Sequence, residues 1–322
     1  MTALTDKPVF AIAGPTASGK TALAVRLAKL VNGEVVNFDS VQIYQGISVA
    51  TAKPSDEEKQ RIPHHLIDYV DPNSDYTAAN WVSDAKDVIR SIERRGRTVI
   101  LVGGTGFYLR SLRKPLFEGP PTDQRLRGRL NELRAEKGNH HLFRLLQRID
   151  PAAADKLFPN DSVRVIRALE VYFQTGERLS ELQPKRSETP EFASRIRLFV
   201  LNPPRELLYQ RINDRARSHF KGGLVDEVKQ LLASGVRESG NALGAHGYGR
   251  VCEYLRGERD MDSAIEKTQQ DVRNYAKRQL TWFRKESDAI WLNGFGESED
   301  VWKQLLEHIH DDQSGLTSSP NG

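Results

Sequence analysis

The N-terminal third of the chain alternates short apolar runs with segments of helical spacing. PVFAIAG (8–14) ends in a glycine-rich turn, after which TALAVRLAKLV repeats its apolar residues every three or four positions. EVVNFD (34–39) and RTVILVGG (97–104) are further apolar runs, and the segment from Ala78 to Glu93 between them has amphipathic helical spacing. Strands and helices that alternate in this way predict an α/β fold built on a parallel sheet.

The pattern changes after Pro115. The segment GPPTD breaks the alternation, and helical spacing then continues to about Gly176. RIRLFVLNPP (195–204) predicts a strand that returns to the sheet, and further helices close the chain. The expected division is an α/β core of residues 1–118 and 191–310, a helical insertion of residues 119–190, and a disordered polar tail of residues 311–322.

Composition is typical of a globular protein and excludes two other classes. Hydrophobic residues make up 38% and charged residues 28% of the 322 positions, and no apolar stretch approaches the roughly 18 to 20 residues of a membrane span. Cys252 is the only cysteine, which excludes intramolecular disulfides and cysteine-based zinc sites. The N-terminus lacks the pattern of a secretory signal. We therefore expect a cytoplasmic protein in which Cys252 is a buried apolar residue.

The basic residues are clustered, although the net charge is only +4. Between Arg125 and Arg148 there are seven basic residues and two acidic ones, and the same counts hold between Arg195 and Lys221. Such clusters indicate either a polyanionic partner or solvated helix faces, and charge alone does not decide between them.

GPTASGKT (14–21) matches the G-x-x-x-x-G-K-[ST] phosphate-binding pattern in full. Gly14 and Gly19 allow backbone angles at which successive N–H groups turn towards phosphate oxygens. Lys20 adds a positive charge, the Thr21 hydroxyl is a candidate Mg²⁺ ligand, and the helix that follows presents its positive end to the anion. We therefore predict a core like that of P-loop NTPases. The predicted diphosphate-binding residues are Gly14, Pro15, Thr16, Ala17, Ser18, Gly19, Lys20 and Thr21.

A carboxylate that commonly accompanies a P-loop is missing from the strongest strand. In many NTPases an apolar strand ends in an acid that holds Mg²⁺, whereas TVILVGG ends in two glycines. Only VVNFD supplies an acid at a strand end. Because the carboxyl ends of parallel strands converge on the ligand crevice, Asp39 should lie beside the P-loop. The alternative is that Asp39 only caps a turn with Ser40.

Eight short segments occur along the chain in a specific order. They are GPTASGKT (14–21), DSVQIY (39–44), TAKP (51–54), PHHLID (63–68), LVGGTGFYL (101–109), PND (159–161), RALEV (167–171) and YAKRQLTWFR (275–284). Together they resemble the tRNA dimethylallyltransferase family, also called tRNA isopentenyl transferases. The similarity extends from about residue 8 to about residue 293.

The resemblance implies transfer of a dimethylallyl group from dimethylallyl diphosphate to N6 of the adenosine on the 3′ side of the anticodon. It also implies that the insertion grips the tRNA anticodon stem-loop and that the adenosine is extruded into a channel, with the diphosphate entering from the other side. Asp39 matches the family residue that takes the N6 proton. The implied groups that act on the departing diphosphate are Lys20, Thr16, Arg215 and the loop amides, with Mg²⁺ as the cofactor at Thr21.

The family pattern further implies a set of tRNA-binding residues. They are Asp39, Ser40, Val41, Gln42, Thr105, Arg127, Val163, Arg164, Val165, Ile166, Arg167, His246, Gly247, Tyr248, Lys277, Arg278, Gln279, Trp282 and Arg284. The cations would bind phosphates, and an aromatic ring could stack on a base. Core packing is the alternative for the two adjacent rings, and we expect at least one of Trp282 and Phe283 to pack inside.

Three positions depart from the family pattern. Ala50 stands where glycine is usual, Val272 stands where threonine is usual, and Gly249 follows Gly247-Tyr248 where a basic residue is usual. A methyl group at position 50 restricts the backbone there, and Val272 removes one polar contact; none of the three positions lies in the P-loop or at Asp39.

Three other functions share part of this pattern. A P-loop small-molecule kinase would not need the basic insertion or KRQLTWFR, and a transferase acting on free adenine nucleotides would dispense with much of the basic surface. A non-catalytic tRNA-binding protein would have no reason to combine Lys20 with Asp39. The expected partners are therefore the tRNA anticodon stem-loop and dimethylallyl diphosphate, with no membrane, and the chain is expected to act as a monomer.

Overall fold

The structure, a computed structural model, describes residues 7–114, 117, 119–184 and 188–315, and side chains as far as residue 309. The strands are β1 Val9–Ala13, β2 Gly33–Asn37, β3 His64–His65, β4 Thr98–Gly103, β5 Ile196–Leu201 and β6 Ile290–Leu292. The helices are α1 Lys20–Val31, α2 Asp56–Lys59, α3 Ala78–Arg94, α4 Gly106–Arg113, α5 Gln124–Lys137, α6 Asn139–Ile149, α7 Pro151–Ala154, α8 Ser162–Thr175, α9 Leu179–Leu182, α10 Arg205–Lys221, α11 Leu224–Ala233, α12 Tyr248–Leu255, α13 Met261–Phe283 and α14 Glu299–Gly315.

The six strands form one parallel sheet in the order β3-β2-β4-β1-β5-β6. Alternate side chains of β1 point to opposite faces of this sheet. Ala11 belongs to the larger apolar cluster, which α3, α4 and α12 complete, whereas Ile12 belongs to the cluster with α1 and α14. Both faces are therefore buried, as the continuous apolar runs of the central strands require. The predicted α/β fold with a parallel sheet is confirmed.

Two compact units make up the chain. The core unit contains the sheet and comprises the residues up to Arg113 and those from Pro190 onwards. The helical unit, Lys114–Thr189, contains α5 to α9 and has an apolar core of its own that includes Leu130, Leu146 and Leu169. Across the described ranges, no helix has both the length and the apolar character that a membrane span requires.

Long periodic segments were predicted correctly, and short ones were missed. The strands predicted at 8–14, 34–39, 97–104 and 195–204 are confirmed as β1, β2, β4 and β5, and the helix predicted from Ala78 is confirmed as α3. β3 and β6 have two and three residues, which is too few to display a periodicity. Cys252 is 2% exposed, which confirms its predicted burial.

The last helix extends into the first five residues of the tail that was predicted to be disordered. Helix α14 continues to Gly315, because the polar residues before that glycine include neither proline nor another glycine that would stop the helix. Residues 316–322, the rest of the predicted tail, lie outside the described residues.

Two glycines at the end of β4 allow close packing between its neighbours. A Cβ at Gly103 would lie 2.6 Å from the backbone carbonyl carbon and oxygen of Phe38. A Cβ at Gly104 would lie 2.0 Å from Nε2 of Gln279 and 3.2 Å from the carbonyl oxygen of Gly14. Because β4 lies between β2 and β1, these glycines let the chain segments that follow both strands come together over its end.

We expect Gly103→Ala to destabilise the protein by about 1–3 kcal/mol, since the new methyl group would collide with backbone that cannot rotate away. Gly128→Ala is the control: no atom lies within 4 Å of its built Cβ, and replacing a glycine within α5 should stabilise the protein by about 0.5–1 kcal/mol. Urea unfolding of the two variants and the wild type provides the measurement. Equal midpoints for Gly103→Ala and wild type would show that the close approach at β4 is not needed.

Candidate active site

The loop between β1 and α1 has the geometry of an anion-binding site. Gly19 adopts a left-handed conformation (φ 84°), and α1 begins directly after it, at Lys20, without a side-chain cap. The N–H groups of the first helical turn therefore have no side-chain partner and can meet an anion. Gly14 (φ 148°) is needed for packing, because a Cβ there would lie 3.0 Å from Cβ of Leu201.

Lys20 is half-buried beside this loop, and its ammonium group forms a hydrogen bond within the protein. Nζ donates to the carbonyl oxygen of Pro15 at 2.7 Å. Burial lowers the pKa of Lys20 to about 8; the charge of Asp39 opposes this shift, and the charge of Arg215 adds to it. The amine is thus desolvated and close to one acid and one further cation, an arrangement that an incoming polyanion would stabilise in the charged form.

Asp39 is held in a turn just beyond β2. Its Oδ1 accepts hydrogen bonds from the N–H groups of Val41 (2.9 Å) and Gln42 (3.3 Å). Its own N–H donates to Oδ1 of Asn37 at 3.0 Å. Asp39 therefore does cap a turn, as the alternative interpretation holds, but the carboxylate also faces two cavities, so the two interpretations are compatible.

Two cavities meet at this carboxylate. The P-loop cavity, of about 410 Å³, is lined by the loop residues from Thr16 to Thr21 and by the segment around Lys53. The aromatic cavity, of about 430 Å³, is lined by several tyrosine rings. The lining residues that both cavities share are Thr16, Ala17, Asp39, Thr51, Ala52 and Arg215. A molecule in one cavity can therefore meet a molecule in the other at Asp39 and Arg215.

The tyrosines of the aromatic cavity were not selected from the sequence. They are Tyr44, Tyr76, Tyr108 and Tyr275, and the ring of Tyr275 packs 4.8 Å from that of His246. Burial raises the pKa of Tyr275, as does the charge of Asp39, so its hydroxyl stays protonated. Three of the four tyrosines fall inside segments that carry the family resemblance (DSVQIY, LVGGTGFYL and YAKRQLTWFR), and that was the signal available.

Arg215 reaches both cavities from α10. Burial lowers its pKa from the usual value, and its Nε donates to Nε2 of His219 at 3.4 Å. Burial and the Arg215 charge together lower the pKa of His219 to about 4, so this imidazole is neutral near pH 7 and serves as an acceptor. The hydrogen bond to His219 thus orients the guanidinium of Arg215.

Gln279 on α13 connects three parts of the site. It is 4% exposed, its Oε1 accepts from the N–H of Thr16 at 2.9 Å, and its Nε2 donates to the carbonyl oxygen of Gly104 at 3.0 Å. Its position close to Gly104 depends on the absence of a side chain there. Gln279, one of the predicted tRNA-binding residues, is thus a buried amide that positions Thr16 of the P-loop.

Several other predicted tRNA-binding residues of the core unit lie at the site. Ser40, Val41 and His246 line the aromatic cavity, and Gln42 lines the P-loop cavity. Thr105 is joined to this group because its Oγ1 accepts from the N–H of Ser40 at 3.0 Å. Their side chains surround the place where the two cavities meet.

Two further segments of the core unit that were predicted to bind tRNA differ in solvent exposure. Lys277, Arg278 and Arg284 are exposed, whereas Gly247 and Tyr248 are buried. The hydroxyl of Tyr248 donates to the carboxylate of Glu227.

Of the two adjacent rings on α13, one packs inside and the other is half-buried. Phe283 is fully buried, which confirms that at least one of the pair belongs to the core. Trp282 is half-buried, with the Arg110 guanidinium 4.6 Å from its ring centroid.

The helical unit shows the same division among its predicted residues. Val163 is 77% exposed, and Arg164 also lies at the surface, whereas Val165 (1%) and Ile166 (5%) are buried in the core of the unit. The side chains of Val165 and Ile166 therefore pack inside the unit, because successive residues of a helix point in different directions, and their contact with tRNA stays a prediction.

Arg127 and Arg167 both bind the buried carboxylate of Glu170. The nitrogen–oxygen distances are 2.7 and 3.1 Å, and the N–H of Asp123 donates to the same carboxylate. Each arginine is about one-third exposed, so one side remains accessible to solvent.

Comparison with known proteins gives a consistent assignment. Residues 42–286 match the family model described as IPP transferase. The chain is 44% identical over 299 residues to the tRNA dimethylallyltransferase of Geobacter metallireducens, covering 93% of this chain and 96% of that one. It is 47% identical over 281 residues to the enzyme of the same name from Geobacter sulfurreducens, covering 87% and 90%.

Solved structures agree with these relatives. The full-length tRNA isopentenylpyrophosphate transferase of Bacillus halodurans superimposes with a TM-score of 0.70 at 36% identity, covering 98% of this chain and all of that one. A eukaryotic dimethylallyltransferase described as acting on tRNA gives a TM-score of 0.79 at 28% identity, covering 98% and 80%. The P-loop, the carboxylate beside it and these similarities lead to one conclusion: the chain belongs to the IPP transferase family.

Proposed function

We propose that this chain transfers a dimethylallyl group from dimethylallyl diphosphate to N6 of the adenosine on the 3′ side of the anticodon in tRNA. The product is N6-(dimethylallyl)adenosine. The observation that carries the proposal is the meeting of the two cavities at Asp39, one lined by the phosphate-binding loop and the other by aromatic rings. The curated relatives named tRNA dimethylallyltransferase support the same reaction.

The two cavities have the chemistry of the two substrates. The P-loop cavity offers backbone N–H groups and the cations Lys20 and Arg215, which suit a diphosphate. The aromatic cavity offers rings and a volume of about 430 Å³, which suits an extruded base. With the diphosphate on one side and the adenine on the other, the allylic carbon and N6 would approach each other beside Asp39.

The reaction balances with the groups present. The N6–C1 bond forms as the C1–O bond to the diphosphate breaks, and the bonding electrons leave with the diphosphate. The N6 proton passes to the carboxylate of Asp39, whose Oδ1 is fixed by two backbone N–H groups. No covalent enzyme intermediate is needed, because the allylic carbon itself carries the developing positive charge.

The charge that develops on the leaving diphosphate meets preorganised positive groups. Arg215 lines both cavities. Its Nε donates to His219, so the two terminal guanidinium nitrogens can bind the diphosphate. The desolvated ammonium of Lys20 and the amides at the start of α1 act in the same cavity. In a site shielded from water such donors act more strongly than in solution.

The donor set near the P-loop fits Mg²⁺ bound largely by substrate. Among the described residues, no group of three or more His, Cys, Asp or Glu side chains could hold a metal. Mg²⁺ commonly takes one or two protein ligands, with phosphate oxygens and water completing its shell. The Thr21 hydroxyl, which lines the P-loop cavity, would be the protein ligand, and the ion would neutralise charge on the diphosphate.

The proposal extends to location and assembly. We expect the enzyme in the cytoplasm, where a tRNA substrate would be available. Every group assigned to the reaction comes from a single core unit, so a monomer would be sufficient for the chemistry.

The direct test incubates the purified protein with Mg²⁺, labelled dimethylallyl diphosphate and tRNA whose anticodon is followed by adenosines. We expect label in the tRNA and one diphosphate released per group transferred. Label in AMP but not in tRNA would replace the proposal with a free-nucleotide transferase. Phosphate transfer from ATP without prenylation would indicate a kinase.

A second prediction concerns pH. Because the pKa of Lys20 is about 8 and a diphosphate favours the charged amine, affinity for dimethylallyl diphosphate should fall as pH rises. The protonated fraction drops from about nine-tenths at pH 7 to about one-tenth at pH 9, so the dissociation constant should rise about tenfold. Calorimetry across this range, without tRNA, gives the value.

The matched control is Lys20→Arg, since a guanidinium stays charged throughout this range. Its affinity for the diphosphate should be nearly independent of pH between 7 and 9. An equally flat profile for the wild type would show that the protonation of Lys20 does not control diphosphate binding.

A further inference from the structure

A third cavity of the core unit is separate from the site described above. It is a groove of about 530 Å³ between α10 and α13, and it shares no lining residue with the P-loop or aromatic cavity. The loop before α10 and the residues that follow β6 also line it. We call it the α10–α13 groove.

The rim of the α10–α13 groove is positively charged. Arg205, Lys277 and Arg284 line it, and all three are exposed. No Asp or Glu lines the groove, and within the part of the chain that the structure describes none of the three forms an ion pair. By contrast, Arg110 and Arg113 on α4 both pair with carboxylates. The three unpaired cations favour an anionic occupant.

The floor of the groove is apolar, with an aromatic ring at one end. Leu208 and Ala276 are buried, and Leu280 lies beside them. The ring of Tyr209 also lines the groove, with the Arg205 guanidinium 5.1 Å from its centroid. A compact inorganic anion would gain nothing from this floor. A nucleotide would use both parts, because its base has a flat apolar face and its phosphates are anionic.

We propose that the α10–α13 groove binds a nucleotide of the tRNA anticodon loop other than the target adenosine. Its base packs on Tyr209 and the apolar floor, and Arg205, Lys277 and Arg284 bind the phosphates. This inference rests on the proposed tRNA substrate, and it adds α10 to the tRNA-binding surface that the family pattern implies.

The position of the groove along α13 fits such a role. Tyr275 lines the aromatic cavity and Leu280 lines the groove, and a rise of 1.5 Å per residue separates them by roughly 8 Å along the helix axis. Enzymes that extrude a base commonly contact the flanking nucleotides as well. The groove is therefore within reach of the loop whose adenosine enters the aromatic cavity.

The test measures binding of a fluorescent anticodon stem-loop RNA, with adenosines after its anticodon, over a series of salt concentrations. Tyr209→Leu removes the ring and should weaken binding about tenfold, whereas Tyr209→Phe retains the ring and should bind within about twofold of wild type. Arg205→Gln should weaken binding about fivefold and reduce the salt dependence by about 0.7 in the slope of log K against log salt.

Two controls separate this effect from others. Arg217→Gln changes an exposed arginine on the same helix that lies outside the groove, and it should leave RNA binding within about twofold of wild type. Binding of dimethylallyl diphosphate alone should be the same in all variants and wild type. Urea unfolding of Tyr209→Leu and Tyr209→Phe checks that a loss of RNA binding is not a loss of fold.

The inference is overturned if Tyr209→Leu and Arg205→Gln bind the RNA as wild type does. Equal weakening of RNA and of dimethylallyl diphosphate binding would also overturn it, since the groove would then act on small anions. The outcome is distinct from that of the proposed function. A wild type that binds the stem-loop without prenylating it would refute only the reaction, and prenylation with unaffected groove variants would refute only the groove.

Discussion

The site depends on the absence of side chains at the end of β4. Gly103 allows the backbone of Phe38, and with it the Asp39 turn, to pack over the strand, since a Cβ there would lie 2.6 Å from that backbone. Gly104 leaves room for Gln279, which binds the N–H of Thr16. A strand-end carboxylate, common in hydrolytic P-loop enzymes, would occupy this space. The same two glycines therefore explain both the missing acid and the position of Asp39.

The charged groups of the P-loop cavity are the second feature on which the site depends. Lys20 and Arg215 line the P-loop cavity, and both are desolvated. Their lowered pKa values show that the charged forms are destabilised when no anion is bound. A diphosphate would offset that destabilisation. In the proposed function the loop would hold the leaving group, and Asp39, which lines both cavities, would accept the proton.

Short-range sequence patterns predicted those parts of the structure that depend on residues close together in the chain. The P-loop, the strands β1, β2 and β4, and the placement of Asp39 beside the loop follow from short-range patterns and from the convergence of parallel strand ends. The contact between Gln279 and Thr16 joins residues 263 positions apart, so no short-range pattern could reveal it. The family pattern covers whole segments, whereas a helix exposes only one of its faces, so the pattern could not reveal that Val165 and Ile166 are buried.

The central claim is that Asp39 takes the N6 proton where the two cavities meet. Single-turnover kinetics of Asp39→Asn test it most directly, because the amide oxygen can still accept from the N–H groups of Val41 and Gln42 and so preserve the turn. We expect the affinities for tRNA and dimethylallyl diphosphate to stay within about threefold of wild type, while the rate of prenyl transfer falls by about a hundredfold or more. A transfer rate within about threefold of wild type would contradict it.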